Sequence, residues 1–414
     1  MSYVRDVVEL TSRPVPRFEL CSGETWRSPW EMYAALRAHD PVHHVVPADQ
    51  PERDYWVLSR HGHVFAAVRD SATYSSRDGL TVTYGELEDL GLTDNPPMVM
   101  QDPPAHTALR RLLAHGFTPR QVGEVEPAVR RFVVERLMDL REQGGGDIVE
   151  HLFKPLPSMV VAHYLGVPAA DRPLFDRWTH AMMEGAAGQS SSFVSSGHAE
   201  MLGFLVELIK RRRREPGDDS VSLLVGSGMA GDDADTRGLV QVLAYAWTMI
   251  AGGNDTTTGL LAEAVRLLQR HPDQRARLVA EPGRIPVAVE EFARLACPVQ
   301  GLARTLTRDV ELAGKTVPAG RKVLLLFASA NRDERVYGPD AEELDIHRDP
   351  QKILTFGHGS HHCLGAAAAR MQARVVLEEI LTRFPWYTVD LDAVRYAPGP
   401  YIRRPTTLPF RGRA

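Results

Sequence analysis

One short segment near the C-terminus combines a cysteine with glycines that would let a flat ligand approach it. Residues 356–365 read Phe-Gly-His-Gly-Ser-His-His-Cys-Leu-Gly, and Cys363 directly precedes a predicted helix over Leu364–Arg383. The helix dipole and free backbone N–H groups would favour a thiolate there, and a thiolate is a good axial ligand for haem iron. The residues alone leave open a buried structural cysteine, or a nucleophile activated by His361 or His362. A zinc site is a weaker alternative, because so compact a cluster lacks the usual ligand spacing.

A second segment places an acid and an alcohol beside two glycines inside a predicted helix. Residues 251–257 read Ala-Gly-Gly-Asn-Asp-Thr-Thr. Each interior glycine costs roughly 1 kcal/mol relative to alanine, so the pair should have a compensating role, such as opening a groove for dioxygen and water. A carboxylate such as Asp255 could relay protons from solvent, and a hydroxyl such as that of Thr256 could hydrogen-bond a peroxide. The alternative is helix packing at a Gly-Gly notch with a surface Asp-Thr pair.

Two further pairs of residues have helical spacing. Glu291 and Arg294 are three residues apart, so they share one helix face. If this pair is buried, it would be structural and could link its helix through Arg348 to the loop before the cysteine. His106 and Arg110 are four residues apart, and basic groups of this kind could neutralise the two propionates of a buried haem. Each pair taken alone is more typical of solvated surface charges.

Most of the chain is predicted to be helical, with a small β component placed late. Ser28-Pro29-Trp30-Glu31 has the pattern of a capping box that would open a helix ending near Ala38. Further helices are predicted at Ala105–His115, Glu126–Gln143, Pro157–Leu165, Arg172–Met183, Gly197–Arg214, Thr236–Gln269, Ile285–Leu295 and Leu364–Arg383. Strands are predicted at Val42–Val46, at Tyr55–Leu58 and in short runs between Leu302 and Leu326.

Composition excludes several classes of protein. Of the 414 residues 43% are hydrophobic, which suits a globular core, and the net charge of −5 argues against a general nucleic-acid binder. Three widely spaced cysteines form no disulfide framework. The N-terminus lacks the apolar core of a signal peptide, and the most apolar stretch, Leu239–Ile250, is too short to span a bilayer. We therefore expect a cytoplasmic protein with no membrane or nucleic-acid partner.

Two charged segments are better explained by helix and loop chemistry than by binding. The run Lys210–Arg214 lies at a predicted helix end, where cations suit the negative end of the dipole, although a nucleic-acid patch is the alternative. The acidic residues between Leu80 and Pro97, among them Glu86 and Glu88, are expected to be solvated loop charges. The alternative for them is selection of cationic substrates.

Residues 356–365 match at every fixed position the haem-binding signature of cytochromes P-450, Phe-Gly-x-Gly-x-His-x-Cys-x-Gly. The chain resembles this family from about Pro29 to Arg404, and in detail its soluble actinobacterial members, closest to family 130 of the P-450 nomenclature. Ala366–Ala369 departs from the pattern, because many relatives carry a larger leucine there. The resemblance implies a mainly α fold, with a large helical lobe and a small β-rich lobe, in one domain over residues 1–414.

The resemblance also implies a cofactor and roles for particular residues. The cofactor would be haem b, with Cys363 as the metal ligand. Asp255 and Thr256 would be the catalytic acid and alcohol that deliver protons. The residues implied to meet the haem propionates are His106, Arg110, Arg304 and His361.

The implied activity is that of a monooxygenase. It would insert one oxygen atom of O2 into a small hydrophobic substrate, by hydroxylation or oxidative dealkylation. Because the chain has no flavin or ferredoxin segment, electrons would come from a separate ferredoxin and its reductase. Arginines expected near their docking face are Arg110, Arg111, Arg120, Arg370 and Arg374. A peroxide-driven peroxygenase and a non-catalytic haem-thiolate sensor remain alternatives.

Five segments, mostly apolar or small, are expected to line the substrate site. They are Gly79–Met98, Met183–Phe193, Thr248–Gly252, Val299–Leu302 and Gly399–Ile402. One of them overlaps the small and polar stretch Met183–Ser196, which is interpreted as a surface loop or as a lid over the pocket.

Overall fold

The computed structural model describes residues 16–186, 196–232 and 234–412, most of which are helical. The longer helices are α1 (Trp30–His39), α2 (His61–Ala67), α3 (Ala105–Ala114), α4 (Pro119–Glu142), α5 (Pro155–Leu165), α6 (Arg172–Ala186), α7 (Ser196–Arg214), α8 (Ser220–Gly226), α9 (Thr236–Arg270), α10 (Pro272–Ala280), α11 (Ile285–Ala296) and α12 (Ala366–Arg383). Single α-helical turns lie at Glu86–Asp89, Phe327–Ala330 and Glu334–Tyr337, and a π-helical stretch at Val149–Phe153. Turns of 3₁₀ helix lie at Gly23–Arg27, Pro51–Arg53, Met98–Met100, His115–Phe117, Ala169–Asp171, Pro282–Arg284 and Gly359–His361.

The strands form one larger sheet and three small ones in the described part of the chain. They are β1 (Val42–Val45), β2 (Tyr55–Leu58), β3 (Tyr74–Ser75), β4 (Gly146–Asp147), β5 (Leu302–Leu306), β6 (Val310–Leu312), β7 (Lys315–Val317), β8 (Lys322–Leu325), β9 (Thr388–Val389), β10 (Arg395–Tyr396), β11 (Pro405–Thr407) and β12 (Pro409–Arg411). The larger sheet has the order β1-β2-β8-β5-β3, in which only β2 and β8 run parallel. The small sheets pair β4-β12-β9, β10-β11 and β6-β7.

Buried apolar side chains form three clusters, and their positions define two lobes. One cluster joins α4, α9, α11 and α12, and a second lies among α5, α7, α8 and the first half of α9. The third covers the larger sheet and includes side chains of α1 and α2. The helix α9 contributes to both helical clusters, so it is the element that ties the helical lobe together.

Local chemistry accounts for the ends of the helices around the site. The Thr118 hydroxyl accepts from Gln121 N and caps α4, with Pro119 at the first helical position. The Asp235 carboxylate accepts from Gly238 N at 2.8 Å and caps α9. Gly145 follows the end of α4 with φ of +124°, and a Cβ there would lie 2.7 Å from the carbonyl oxygen of Phe410. Glycine is therefore required where β4 approaches β12.

The predicted helices are present, with corrections at three starts. The α4 helix begins at Pro119 and not at Glu126, because the capping box at Thr118 starts the helix about two turns earlier than the apolar pattern indicated. The capping box predicted at Ser28 is wrong: α1 begins at Trp30 after Pro29, and no side chain caps it. The last helix begins at Ala366 and not at Leu364, because Leu364 and Gly365 form a turn before it.

Some helices and strands of the structure were not predicted from the sequence. The helices α2, α8 and α10 and the strands β3, β4 and β9 to β12 were not predicted, because each is short and fixed by tertiary contacts. Of the stretch 183–196, residues 187–195 lie outside the described residues. Among the described helices, none is long and apolar enough to cross a bilayer.

Candidate functional site

Cys363 lies in a tight loop that closes on itself just before α12. The Cys363 N–H donates to the carbonyl oxygen of Phe356 at 2.7 Å. Gly357 and Gly359 have φ of +61° and +71°, which favour glycine. A Cβ on Gly359 would lie 2.8 Å from the carbonyl oxygen of Val68, so this loop also needs glycine to pack on the end of α2.

The thiol of Cys363 is accessible, whereas the other two cysteines are buried. Protein surrounds it on most sides, and this desolvation raises its pKa, although the Gly365 N–H and the charges of Arg110 and Arg370 act to lower it. The expectation that the loop alone favours the thiolate is therefore wrong. A bound metal cation would supply the missing stabilisation, because a coordinating thiol is deprotonated outright.

Four basic side chains predicted from the sequence come together beside this loop. His106 and Arg110 lie on α3, Arg304 lies on β5, and His361 lies two residues before the cysteine. The rings of His106 and His361 are 4.1 Å apart between centroids. Arg110 is close enough to Cys363 for its charge to act on that thiol. The structure thus joins a helix, a strand and a loop at one basic cluster.

Burial destabilises the charged forms of all four groups, and neighbouring cations add to this effect at the two histidines. Burial lowers the pKa of each, to about 10 for Arg304 and to about 3 for His361. The charges of Arg304, His106 and Arg110 lower the pKa of His361 further. Asp102 is an acid that opposes these effects, and it acts on Arg304 and His106. The cluster therefore carries excess positive charge in a desolvated setting.

The basic cluster fits a ligand that carries two carboxylates. His106 Nδ1 is buried and has no hydrogen-bond partner. Within the described ranges, the Arg304 side chain makes one hydrogen bond, from Nη1 to the carbonyl oxygen of Ala303 at 2.7 Å. Unused donors and unbalanced charge are what the propionates of a haem would satisfy.

The two glycines of α9 differ in what surrounds them. A Cβ on Gly253 would lie 2.8 Å from Val161 Cγ2, so that glycine lets α9 pack closely on α5. A Cβ on Gly252 would meet nothing within 4 Å. Thr256 Oγ1 donates to the Gly252 carbonyl oxygen at 2.7 Å. One glycine is thus a packing residue, as the alternative interpretation held, while the other leaves an open groove beside Thr256.

Asp255 and Arg404 meet at the side of α9. Asp255 Oδ1 lies 2.7 Å from Arg404 Nε, although the angle falls outside hydrogen-bond geometry, and both side chains are largely buried. The helix α9 approaches residues 403–404 closely here, because a Cβ on Gly259 would lie 3.1 Å from the Arg403 carbonyl oxygen. The carboxylate is therefore held by a cation near the C-terminus of the chain.

The glycine groove and the cysteine loop border the same apolar cluster. Ala251, next to Gly252, and Leu364, next to Cys363, both pack against the cluster formed by α5, α7, α8 and α9. The thiol, the groove and the basic cluster accordingly belong to one region of the fold.

The Glu291–Arg294 pair is structural. Arg294 donates to both carboxylate oxygens of Glu291 at 2.7 Å, and neither side chain is exposed. Arg294 also donates to the carbonyl oxygens of Asn331 and Ala341. Arg348 Nε lies 3.6 Å from Glu291, so the expected link to the segment before the cysteine is present.

The arrangement gives no support to a Cys–His nucleophile or a zinc site. In the part of the chain that the structure describes, no hydrogen bond joins Cys363 to His361 or His362. The same residues contain no group of three or more His, Cys, Asp or Glu side chains that could hold a metal ion.

Most of the charged side chains in these segments pair with, or donate hydrogen bonds to, neighbouring groups. In the run 210–214, Arg212 lies 2.8 Å from Asp219, and Arg213 donates to the carbonyl oxygen of Ala230. Of the arginines expected near a docking face, Arg370 pairs with Glu290, Arg374 pairs with Glu126 and Glu378, and Arg110 belongs to the basic cluster. The other two arginines of that set, Arg111 and Arg120, are exposed. Arg120 pairs with Glu124, but its side chain is 88% exposed, so water screens the pair.

Several residues that support the site were not singled out from the sequence. The Asp102 carboxylate accepts from Ser75 Oγ and from Ser76 N, and Ser76 Oγ lies 3.3 Å from His361 Nε2. These residues tie the start of α3 to the cysteine loop. Neither they nor Arg404 carry a motif, so no sequence signal pointed to them.

Fold, thiol, basic cluster and helix groove together define the class of haem-thiolate proteins, and comparison with known proteins gives the family. The family model described as Cytochrome P450 matches residues 23–400. The chain belongs to the cytochrome P450 family; it binds haem and is a monooxygenase of that family. Its fold is the mainly α fold of these proteins, as the sequence predicted.

Individual relatives are similar over nearly their full length. Cytochrome P450 130 of Mycobacterium tuberculosis is 58% identical over 97% of this chain and 99% of its own, which confirms the expected likeness to family 130. The vitamin D(3) 25-hydroxylase of Pseudonocardia autotrophica is 34% identical over 97% and 98%. The solved structure of CYP268A2 from Mycobacterium marinum in complex with pseudoionone has a TM-score of 0.82 and 31% identity, covering 97% of this chain and all of that one.

Proposed function

We propose that this P450 inserts one oxygen atom of O2 into a small hydrophobic organic substrate, by hydroxylation or oxidative dealkylation, and takes its electrons from a separate ferredoxin and reductase. We also propose that residues 1–414 act as one domain. The observation that carries the proposal is an accessible Cys363 thiol beside a basic cluster with excess positive charge. This pairing suits a flat ligand that presents a metal at its centre and carboxylates at its edge.

In this proposal each side chain has a distinct task. Cys363 would provide the sulfur ligand of the haem iron. His106, Arg110, Arg304 and His361 bind the two propionates and so fix the orientation of the ring. When bound, the haem iron supplies the centre at which dioxygen binds and is activated.

Proton delivery is assigned to the side chains of α9. The Thr256 hydroxyl holds a proton at Oγ1, which faces the groove opened by Gly252. Asp255 passes protons from solvent to that groove when its carboxylate leaves Arg404. This acid–alcohol pair favours dioxygen chemistry over a peroxide-driven reaction, which does not need it.

A hydrophobic substrate is supported by the apolar side chains near the basic cluster and by the relatives. Val299, Leu302 and Tyr401 are partly buried side chains on the cluster that covers the larger sheet. Relatives include a hydroxylase of vitamin D(3) and a P450 solved with pseudoionone, both hydrophobic molecules by name.

The spectrum of the reduced, carbon-monoxide-bound protein tests the sulfur ligand directly. We expect the red-shifted Soret band of thiolate ligation, and we expect Cys363→Ser to lose it while Cys297→Ser keeps it. The control is apt because Cys297 is fully buried and remote from solvent. A protein without this band, or a Cys363→Ser variant that retains it, would refute the assignment.

Steady-state kinetics with a ferredoxin test the electron source. Charge reversal at Arg111 and Arg120 should raise the ferredoxin concentration needed for half-maximal turnover, because these arginines would meet an acidic partner. Arg53→Glu, on the exposed turn between β1 and β2, is the matched control and should leave that concentration unchanged. Equal kinetics in all three proteins would contradict this docking face.

Two alternatives give different outcomes in the same assays. Turnover that follows peroxide and ignores reduced ferredoxin would identify a peroxygenase. Oxygen consumption without product across a broad substrate panel would identify a haem-thiolate sensor.

A further inference from the structure

The carboxylate of Glu86 organises the segment 78–86. This segment ends at the first residue of the one-turn helix Glu86–Asp89. Glu86 Oε2 accepts from Leu80 N at 2.9 Å, from Thr81 N at 2.8 Å and from Thr81 Oγ1 at 2.7 Å. Gly79 has φ of +102°, and a Cβ there would collide with the same carboxylate. Hydrogen bonds to a charged acceptor are stronger than neutral ones, so Glu86 folds this segment into a closed turn.

Tyr401 joins this turn to a second part of the chain. Its hydroxyl accepts from Val82 N at 3.0 Å, and its carbonyl oxygen accepts from Gln300 N at 2.9 Å. The next residue, Ile402, forms an isolated bridge with Val299. Tyr401 therefore holds the segments 80–82 and 299–300 in a fixed relation.

Two further contacts attach the segment 78–86 to the larger sheet. The carbonyl oxygen of Leu80 accepts from Ala303 N, on β5, at 2.6 Å. The Tyr84 hydroxyl donates to the carbonyl oxygen of Asp54 at 2.8 Å, just before β2. The segment is thus anchored to strands at both of its ends.

A buried cation lies under the turn. Lys322, which is 1% exposed, donates from Nζ to the carbonyl oxygen of Asp78 at 2.5 Å. Burial lowers its pKa, and the nearby charge of Glu86 opposes that effect. The carboxylate thus balances a desolvated ammonium besides accepting hydrogen bonds. The expectation that this acidic loop is merely solvated is wrong for Glu86, although the neighbouring Glu88 is exposed.

The parts joined in this way pack against one apolar cluster, which approaches the basic cluster along β5. Val82, Val299, Leu302 and Tyr401 are partly buried and pack against one apolar cluster. Arg304, two residues beyond Leu302, belongs to the basic cluster proposed for the propionates. Three of the segments expected from the sequence to line the site thereby meet as one apolar wall.

We propose that Glu86 and Tyr401 are positioning residues that hold the segment 78–86 as a rigid wall of the substrate site and so set the size and shape of the substrates it accepts. The inference rests on the proposed function, because the wall selects substrates only if the pocket beside it is the reaction site. Neither residue touches the reacting atoms in this proposal. Both act through the backbone of Leu80, Thr81 and Val82.

The variants Glu86→Gln and Tyr401→Phe test the proposal in the haem-loaded protein. Each removes one acceptor or its charge while keeping the volume of the side chain. Glu88→Gln is the control for the first, because Glu88 lies on the same helical turn and is exposed. Tyr55→Phe is the control for the second, because Tyr55 lies near Tyr401 and its hydroxyl makes no hydrogen bond in the described ranges.

Hydrogen exchange gives the first measurement. Losing one charge-assisted hydrogen bond corresponds to at least about a tenfold rise in local opening, so the amides of Leu80 and Thr81 should exchange that much faster in Glu86→Gln. The amide of Val82 should exchange about two- to tenfold faster in Tyr401→Phe, because the hydrogen bond lost there joins two neutral groups. Both controls should exchange as the parent does. Unchanged exchange in the two test variants would overturn the proposal.

Ligand size gives the second measurement, which a merely structural role would not change. Imidazole and 1-phenylimidazole are titrated by the shift of the Soret band. We expect the dissociation constant of imidazole to change less than twofold in both test variants, and that of 1-phenylimidazole to change at least about fivefold. Equal changes for the two azoles, or none for either, would refute selection by this wall. If the parent protein gave no azole shift at all, the proposed haem site would fail instead.

Discussion

Replacement of Glu291 by glutamine should destabilise the fold strongly, because it leaves a fully buried guanidinium without its carboxylate. Arg294 makes two hydrogen bonds of 2.7 Å to Glu291, and neither side chain reaches solvent. Its remaining bonds go to backbone carbonyl oxygens, which carry no full charge. Glutamine keeps the shape of the side chain, so the change tests charge and not packing.

The size of the effect follows from the burial. Breaking a buried ion pair by removing one partner costs about 3–5 kcal/mol. At about 2.1 cal/mol/K of unfolding entropy per residue, a chain of 414 residues has roughly 0.9 kcal/mol/K, so Tm should fall by about 3–6 °C. Haem retention should fall as well, because Arg348 connects this pair to the segment before Cys363.

The chain itself provides a matched control with the same spacing. Glu281 and Arg284 form an ion pair three residues apart at 2.6 Å, but both side chains are more than 40% exposed. Glu281→Gln should leave Tm unchanged within error, because water screens and replaces such a pair. Thermal unfolding of the haem-loaded variants at one fixed scan rate provides the comparison. A similar Tm for the two variants would show that burial does not determine the strength of these pairs, and the reasoning would fail.

Three other sets of substitutions test the packing of α9, a buried carboxylate and the proposed propionate site. Gly253→Ala should lower Tm relative to Gly252→Ala, since a Cβ at 253 collides with α5 whereas one at 252 meets nothing and gains up to about 1 kcal/mol of helix propensity. Burial raises the pKa of Glu263, but its arginine partners outweigh this and hold the pKa far below its usual range, so the folded state stays ionised where the unfolded chain takes up a proton. The ionised Glu263 therefore stabilises the fold above about pH 4.5, and this stabilisation is lost as the pH falls below that value. Below about pH 4.5, Glu263→Gln should reduce the slope of the unfolding free energy against pH by up to about 1.4 kcal/mol per pH unit. An unchanged slope would contradict this. Arg304→Gln should speed haem transfer to an acceptor protein about tenfold or more, because a charge-assisted bond to a propionate is lost; an unchanged rate would place the propionates elsewhere.

The Glu-x-x-Arg pattern shows what the sequence could and could not predict. It occurs four times, starting at Glu24, Glu263, Glu281 and Glu291, and each occurrence forms an ion pair. Spacing on a helical turn is therefore a sound guide to pairing. Two of the pairs are exposed and two are buried, and this difference depends on elements that pack over them from elsewhere in the chain. The sequence could single out Glu291 only by its position between the glycine helix and the cysteine loop.

Groups that act within one local segment were predicted well. The glycines around Cys363 and the groove beside Thr256 depend on backbone conformation that the residue types dictate. The partners of Asp255 and Glu86 were not predicted, because both contacts are set by tertiary structure or by side-chain direction in a loop. The desolvation that raises the pKa of Cys363 was not predicted, because it is a property of the folded surroundings, whereas the Gly365 N–H lowers that pKa as the sequence indicated.

The basic cluster violates the rule that buried charges are paired, and this violation identifies the site more firmly than any one motif. His106, Arg110, Arg304 and His361 come from three separate elements, burial lowers the pKa of each, and neighbouring cations lower the pKa of the two histidines further. Asp102 opposes this effect at Arg304 and His106 only partly, whereas Arg294 and Arg266 each donate two hydrogen bonds to a buried carboxylate. Such local conflicts are expected where a ligand supplies the missing charge. We propose that haem binding and folding are linked here, because propionates bound at this cluster would offset its excess positive charge.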